Sequence, residues 1–322
     1  MKKILKSKEG IILLLIIFIS AIITLKNPDF LTTENLLTLF KINSVVATMA
    51  IGMTLAILTG GIDVSVGGNI AVSAMIVGYL SKMAPNLNIF FLILIGFAIG
   101  ASIGSINGML ISFFNFPPIV VTLGVLSILN GLLMYFSKGN WVNNLPVHYM
   151  EFGNIKILGL PIQILLFLFV AIVIHIFLKY TIIGRGIYAL GGDENSAQRI
   201  GFNTKKIKFI VYMLLGGIVG ISSVIHTSIV KQVDPTAYSG IELIVIAAVV
   251  LGGVNINGGY GTVLGTTLGI ILLSIINNGM IIMHIPVFWQ KIATALIILF
   301  AVSIDIIQRK IKEKNTYKVD IV

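Results

Sequence analysis

IILLLIIFISAIITL, residues 11–25, carries no charge, no proline and no glycine, and it follows four lysines, Lys2, Lys3, Lys6 and Lys8. A basic start before an apolar run is also the pattern of a secretory signal. No small-x-small cleavage site comes next, and the chain stays apolar to its far end. The stretch therefore reads as an uncleaved first membrane helix, slightly short of the ~20 residues a crossing needs and extended by its flanks.

Composition agrees with that reading. Of 322 residues, 57% are hydrophobic and 11% charged, where a soluble domain carries about 25% charged residues. Mean hydropathy is +1.04. A soluble fold of this size cannot hide so much apolar surface, so lipid must be the solvent. Disordered chains, disulfide scaffolds and ordinary soluble enzymes are excluded together. Cysteine is absent, which removes thiolate metal sites and disulfides.

Ten candidate spans follow from the apolar runs: 11–25, 36–59, 64–80, 89–114, 119–136, 162–178, 209–230, 240–254, 262–283 and 288–307. The fold class is an all-α polytopic membrane bundle of about ten helices. Two spans, 64–80 and 240–254, are short and lie beside glycine-rich breaks. Ten crossings put both termini on one side, and charge supports this. Fifteen of the twenty-two Lys and Arg fall at the amino end, in 179–208 or in the carboxyl tail. The other seven, Lys156 and Lys231 among them, fall on or near the opposite side. Basic residues stay in the cytoplasm, so both termini are expected there, and the net charge of +10 is orientation charge and not a nucleic-acid surface. The chain reads as one transmembrane domain, 1–322, with an outer segment 137–161 and a cytoplasmic loop 179–208.

Glycines at 96, 100, 104 and 108 recur every four residues, those at 261, 265 and 269 repeat the spacing, and Gly216 and Gly220 form one more pair. Small residues let helices approach closely in lipid, where no hydrophobic force joins them, so these are expected packing seams. Two other clusters, TGGIDVSVGGN (59–69) and LGGVNINGGYGT (251–262), interrupt apolar sequence with small polar residues. Broken helices survive at membrane depth only where protein or a water-filled cavity satisfies the backbone. Their similar placement hints at an internal repeat of the kind transporters carry.

Several chemistries are missing. No GxxxxGK[ST] phosphate loop is present, and GGYGTVLG (258–265) lacks the strand and acidic residue a dinucleotide loop needs. The histidines, His148, His175, His226 and His284, have no metal-ligand spacing. Acids within spans are few: Asp63 in the first break, Glu242 opening the eighth span and Asp305 near the end of the last. A proton- or sodium-coupled carrier usually needs more. A stand-alone secondary carrier or channel remains the rival class, and a membrane-embedded enzyme lacks any catalytic constellation.

At this point a family resemblance applies. AIGMTLAILTGGIDVSVGG (50–68), PPIVVTLG (117–124), GRGIYALGGDENSAQRIGFNTKKIK (184–208), IAAVVLGG (246–253) with GGYGTVLG, and NNG…FWQ (277–290) together resemble the permease subunits of ribose-type monosaccharide ABC importers, from about residue 30 to 304. KGNWVNNLP (138–146) and PPIVVTLG lean toward the autoinducer-2 and rhamnose members. The resemblance implies a multi-pass plasma (inner) membrane protein that is a transporter subunit without catalytic residues or cofactors. It implies a separate ABC ATP-binding subunit, an extracytoplasmic sugar-binding protein, a second permease chain (identical or homologous) and a lipid environment as partners, with no nucleic acid. It also implies a coupling element at Gly191, Asp193, Glu194, Ala197, Arg199 and Gly201, where DENSAQRI can form a short helix capped by Asp193. Ser196 stands where related chains carry a small apolar residue. Ile244 stands where they often carry an acid, which weakens a role for an acid near Glu242. Translocation-pathway or gate candidates are Asp63, Ser65, Asn115, Thr122, Ser127 and Asn130. Of these, Asp63 and Ser65 either shape a gate or only cap the helix beginning near Val64, and Ser and Thr in the fifth span either line a path or bond their own helix.

Overall fold

A computed structural model describes residues 8–297, 299 and 303. The basic residues at positions 2, 3 and 6, the carboxyl tail and Asp305 lie outside the described residues, as does the end of the span expected at 288–307. The helices are α1 (Lys8–Lys26), α2 (Thr33–Leu58), α3 (Val66–Met83), α4 (Ile89–Ser112), α5 (Pro118–Ser137), α6 (Val147–Phe152), α7 (Ile162–Tyr180), α8 (Ile182–Gly192), α9 (Glu194–Arg199), α10 (Thr204–Val230), α11 (Ile241–Leu251) and α12 (Val263–Ile282). A further apolar helix, α13, covers Val287–Ile297. One small hairpin pairs β1 (Lys156–Ile157) with β2 (Leu160–Pro161).

Among the described residues, seven helices are long and apolar enough to cross a membrane. The short ones are informative. With 11 residues, α11 rises only about 17 Å, roughly half of a bilayer core. Residues 231–240 precede it as irregular backbone, with Val233, Pro235 and Tyr238 buried and Lys231, Thr236, Ala237 and Ser239 exposed. Val233 pairs with Val142 through two backbone hydrogen bonds, of 2.9 and 3.0 Å.

Helices α2 and α10 form the centre. Met49, Ile51, Met53, Leu55 and Ile57 of α2 are fully buried, as are Leu215, Val219 and Val224 of α10. A helix that is apolar all round and enclosed by neighbours belongs to the core. The glycine seams pack against each other: a methyl at Gly100 would strike the Gly216 carbonyl, at Gly104 the Tyr212 carbonyl and at Gly96 the Gly220 carbonyl. So α4 and α10 touch backbone to backbone, as small residues allow in lipid. Gly265 and Gly269 of α12 meet Gly252 and Ala248 in the same way, whereas Gly261 precedes α12 and takes no part in a helical seam. Polar ties bind α2 to α12. The Asn35 and Asn278 side-chain amides exchange two hydrogen bonds of 3.0 Å, and the Thr54 and Thr266 hydroxyls lie 2.8 Å apart.

Two helix starts depart from the sequence reading. The third helix starts at Val66, not Val64, because Asp63 holds a turn through Ser65. The helix expected from residue 209 starts at Thr204, where the Asn203 side chain accepts from the Lys206 N–H at 2.9 Å. Residues 179–208 are therefore no loop: they comprise the end of α7, all of α8 and α9, and the first turn of α10. Segment 137–161 is likewise tied down, with Tyr149 fully buried and the Gln163 amide donating to the Gly153 carbonyl at 2.9 Å.

Candidate functional site

Both glycine breaks converge at the end of the bundle that carries α9. Thr59 closes α2, and Gly60 turns the chain with φ of 78°. The Gly259 N–H donates to the Leu58 carbonyl at 2.9 Å, so the two breaks are hydrogen-bonded to each other. Gly191, at the end of α8, fits into this contact. A Cβ there would overlap the Leu58 carbonyl and the Gly259 nitrogen. A second tie comes from Tyr188, whose hydroxyl donates to the Gly261 carbonyl at 3.0 Å. The segment leading into α9 is thus seated on both breaks.

From that seat α9 projects outward. Asp193 caps it, its carboxylate accepting from the Ser196 N–H at 2.7 Å, the interaction that satisfies an otherwise orphaned helix-terminal donor. Hydrogen bonds from the Ser196 hydroxyl and N–H hold the Asp193 carboxyl below its ordinary range, so the cap is ionised at neutral pH. Glu194 forms an ion pair with Lys208 of α10 at 2.7 Å. Ala197 is buried, while Asn195, Ser196, Arg199 and Ile200 are exposed, Ile200 at 72%. Gly201 takes φ of 95° with open space around it and ends the helix. The six expected coupling residues therefore divide. Asp193, Ala197 and Gly201 shape the helix, Gly191 and Glu194 anchor it, and Arg199 lies on its free face.

Asp63 and Ser65 sit in the first break and are both buried. The Asp63 carboxylate accepts from the Ser65 N–H at 2.8 Å, the Ser65 hydroxyl at 2.6 Å and the Asn107 amide at 3.1 Å. Three donors offset the cost of burying this group. The Ser65 side chain makes no cap bond to α3, while Asp63 accepts the Ser65 N–H just before the helix and, through Asn107, also cross-links the break to α4. Tyr212 stands against Gly61, and its buried hydroxyl has no partner.

The remaining pathway candidates separate. Asn115 lies in the α4–α5 turn with φ of 57°. It lines a cleft of about 410 Å³ with Gly60, Pro117, Glu194, Lys208 and Tyr212, which brings gate and coupling residues to one space. Thr122 is buried, its hydroxyl reaching the Ile119 carbonyl at 3.4 Å on its own helix. Ser127 is exposed and bonds the Leu123 carbonyl at 3.0 Å. Asn130 lines a second cavity, of about 370 Å³, between α3, α5 and the start of α11. It adjoins the first turns of α3, where Asn69 reaches the Gly100 carbonyl halfway along α4 at 3.2 Å.

Residues 33–302 match the family described as branched-chain amino acid transport system / permease component. The chain belongs to that permease family. It is 35% identical over 305 residues to the ribose import permease of Escherichia coli K12, covering 94% of each chain. It is 31% identical to the D-allose transport system permease of the same organism, over 92% of this chain and 91% of the other. To the autoinducer 2 import system permease of Enterobacter sp. strain 638 it is 29% identical, over 95% and 88%. Identity is thus higher to the ribose relative than to the autoinducer-2 one, against the leaning read from KGNWVNNLP and PPIVVTLG. No solved structure matches.

Sequence reading of this permease missed Asn107, Lys208 and Tyr212. Each meets its partners from more than ten residues away, and Asn107 and Tyr212 sit in apolar helices whose spacing marks packing alone. The one available signal was the rarity of an Asn inside a membrane helix.

Proposed function

We propose that this chain is the membrane-spanning permease subunit of an ATP-driven importer for a monosaccharide or an autoinducer-2-like small sugar. The observation that carries the reading is Gly191, which seats the α9 segment on both broken helices at once. A partner that pushes α9 moves a rigid unit, and that unit bears directly on the breaks beside the two cavities. The exposed face of α9, with Arg199 and Ile200, is where a separate ATP-binding subunit docks, and ATP is hydrolysed there, not in this chain. The α9 end is cytoplasmic, as its lysines and arginines require, and both termini lie on that side of the plasma membrane. The hairpin end receives sugar from an extracytoplasmic binding protein, and a second permease chain completes the path. Asp63, Ser65 and Asn115 form the inner gate, with Ser127 and Asn130 on the wall above it. Thr122 joins the path only if α5 turns.

Purifying the tagged chain from native membranes in mild detergent, and identifying its companions by mass, tests this. A stoichiometric subunit with a phosphate loop is expected. A chain that purifies alone and moves solute into liposomes without ATP contradicts the proposal.

A further inference from the structure

Glu242 opens α11, and its Oε2 is buried without a hydrogen-bond partner among the described residues. The carboxylate is packed against the bare Cα of Gly67, in space a Cβ there would fill. No cation pairs with it among the described residues. The other oxygen, Oε1, has no hydrogen bond among the described residues and is the one left open, and a carboxylate oxygen without a partner is an acceptor that something else can complete. Glu242 also lines the cavity of about 370 Å³, with Asn130 and Met134 across from it on α5 and Thr236 and Ser239 beside it. That volume falls within the ~300–1,000 Å³ range of small-molecule sites.

We infer that this cavity is a transit site for a neutral polyhydroxylated solute, with the accessible Oε1 of Glu242 accepting one of its hydroxyl protons and the Asn130 amide bonding its far side. The chemistry fits in both directions. A carboxylate only accepts hydrogen bonds, and a polyol is rich in donors. No Lys or Arg lines the cavity, so a sugar phosphate or sugar acid meets a like charge with nothing to offset it. The permease then adds charge selection of its own beyond what its binding protein provides. The missing acid at Ile244 does not matter to this site, because Glu242 alone faces the cavity.

The inference rests on the importer reading, so its test uses the purified chain alone in lipid nanodiscs, without an ATPase. The protein has no cysteine, and Met134→Cys places a single thiol in the cavity wall. Its labelling rate is measured with a cationic and with an anionic methanethiosulfonate, alone and with D-ribose, D-allose, L-rhamnose or D-ribose 5-phosphate. The cationic reagent should react about tenfold faster than the anionic one, relative to their rates on a free thiol. At least one neutral sugar should slow labelling several-fold, and the phosphate should not. Adding Glu242→Gln should remove the charge preference, and Glu242→Ala should also remove protection. If Glu242→Ala fails to fold, the Glu242→Gln ratio still decides. No protection by any neutral sugar, or protection and charge preference that survive Glu242 substitution, overturns the inference.

Discussion

At the scale of single residues, the first break depends on one amide. The Asn107 Nδ2 donates both to Asp63 at 3.1 Å and to the Ser65 hydroxyl at 2.8 Å. Asn107→Leu removes both bonds and leaves a buried carboxylate with two donors. The expected loss is about 1–3 kcal/mol, the cost of stranding a buried polar group, read as a lower melting temperature in detergent. An unchanged melting temperature would show that Asp63 is solvated or that the break is not held by α4. The Glu194–Lys208 pair is different in kind. Its side chains are 42% and 22% exposed, so it orients α9 and contributes about 0–1 kcal/mol at most. Sequence reading reached Asp63 and Ser65 because polar residues in a glycine-rich break stand out. It could not reach Tyr212 or Lys208, whose significance lies only in what folding places opposite them. Nor could it separate Thr122 from Asn130. In lipid both the outward and the inward faces of α5 are apolar, so periodicity does not say which side a hydroxyl faces.

At the scale of elements, the α4–α10 seam is the most exacting contact in the molecule. Gly104 abuts the Tyr212 carbonyl and Gly216, and no rotamer can avoid a backbone atom. Gly104→Leu must spread the two helices, and overpacking of this kind costs about 1–3 kcal/mol or more. The chain should lose thermal stability and yield. Gly124→Leu, on an α5 face with nothing nearby, should leave the stability of the isolated chain intact. Equal behaviour of the two variants would remove the seam. The four-residue spacing made this contact legible in advance, though not that the two glycine series are each other's partners. Helix ends were less legible. Lys205, Lys206 and Lys208 mark where the membrane stops, and hydropathy took that for the end of a helix that in fact continues to its Asn203 cap.

At the scale of the whole molecule, α7 stands between β1 and the start of α10 along the chain, and on the proposed topology the two face opposite sides of the membrane. Single thiols at Lys156→Cys and Lys206→Cys should therefore label from opposite sides of intact cells, Lys156→Cys alone being open to an impermeant reagent. Labelling of both from one side would break the topology. Charge distribution and apolar runs are what the expected sidedness rests on, and this labelling decides it. The convergence of the two breaks on Gly191 was not readable, because residues 58, 191 and 259 meet only in the fold. On the proposed function, that convergence makes α9 the handle that moves both breaks. Arg199→Cys tests it most directly. Its thiol lies on the exposed face of α9, and the rest of the chain offers no competing cysteine. In native membranes it should cross-link to a subunit that carries a phosphate loop, with a yield that changes when ATP is bound. A thiol that cross-links to nothing, in a protein that still takes up sugar, would contradict the account.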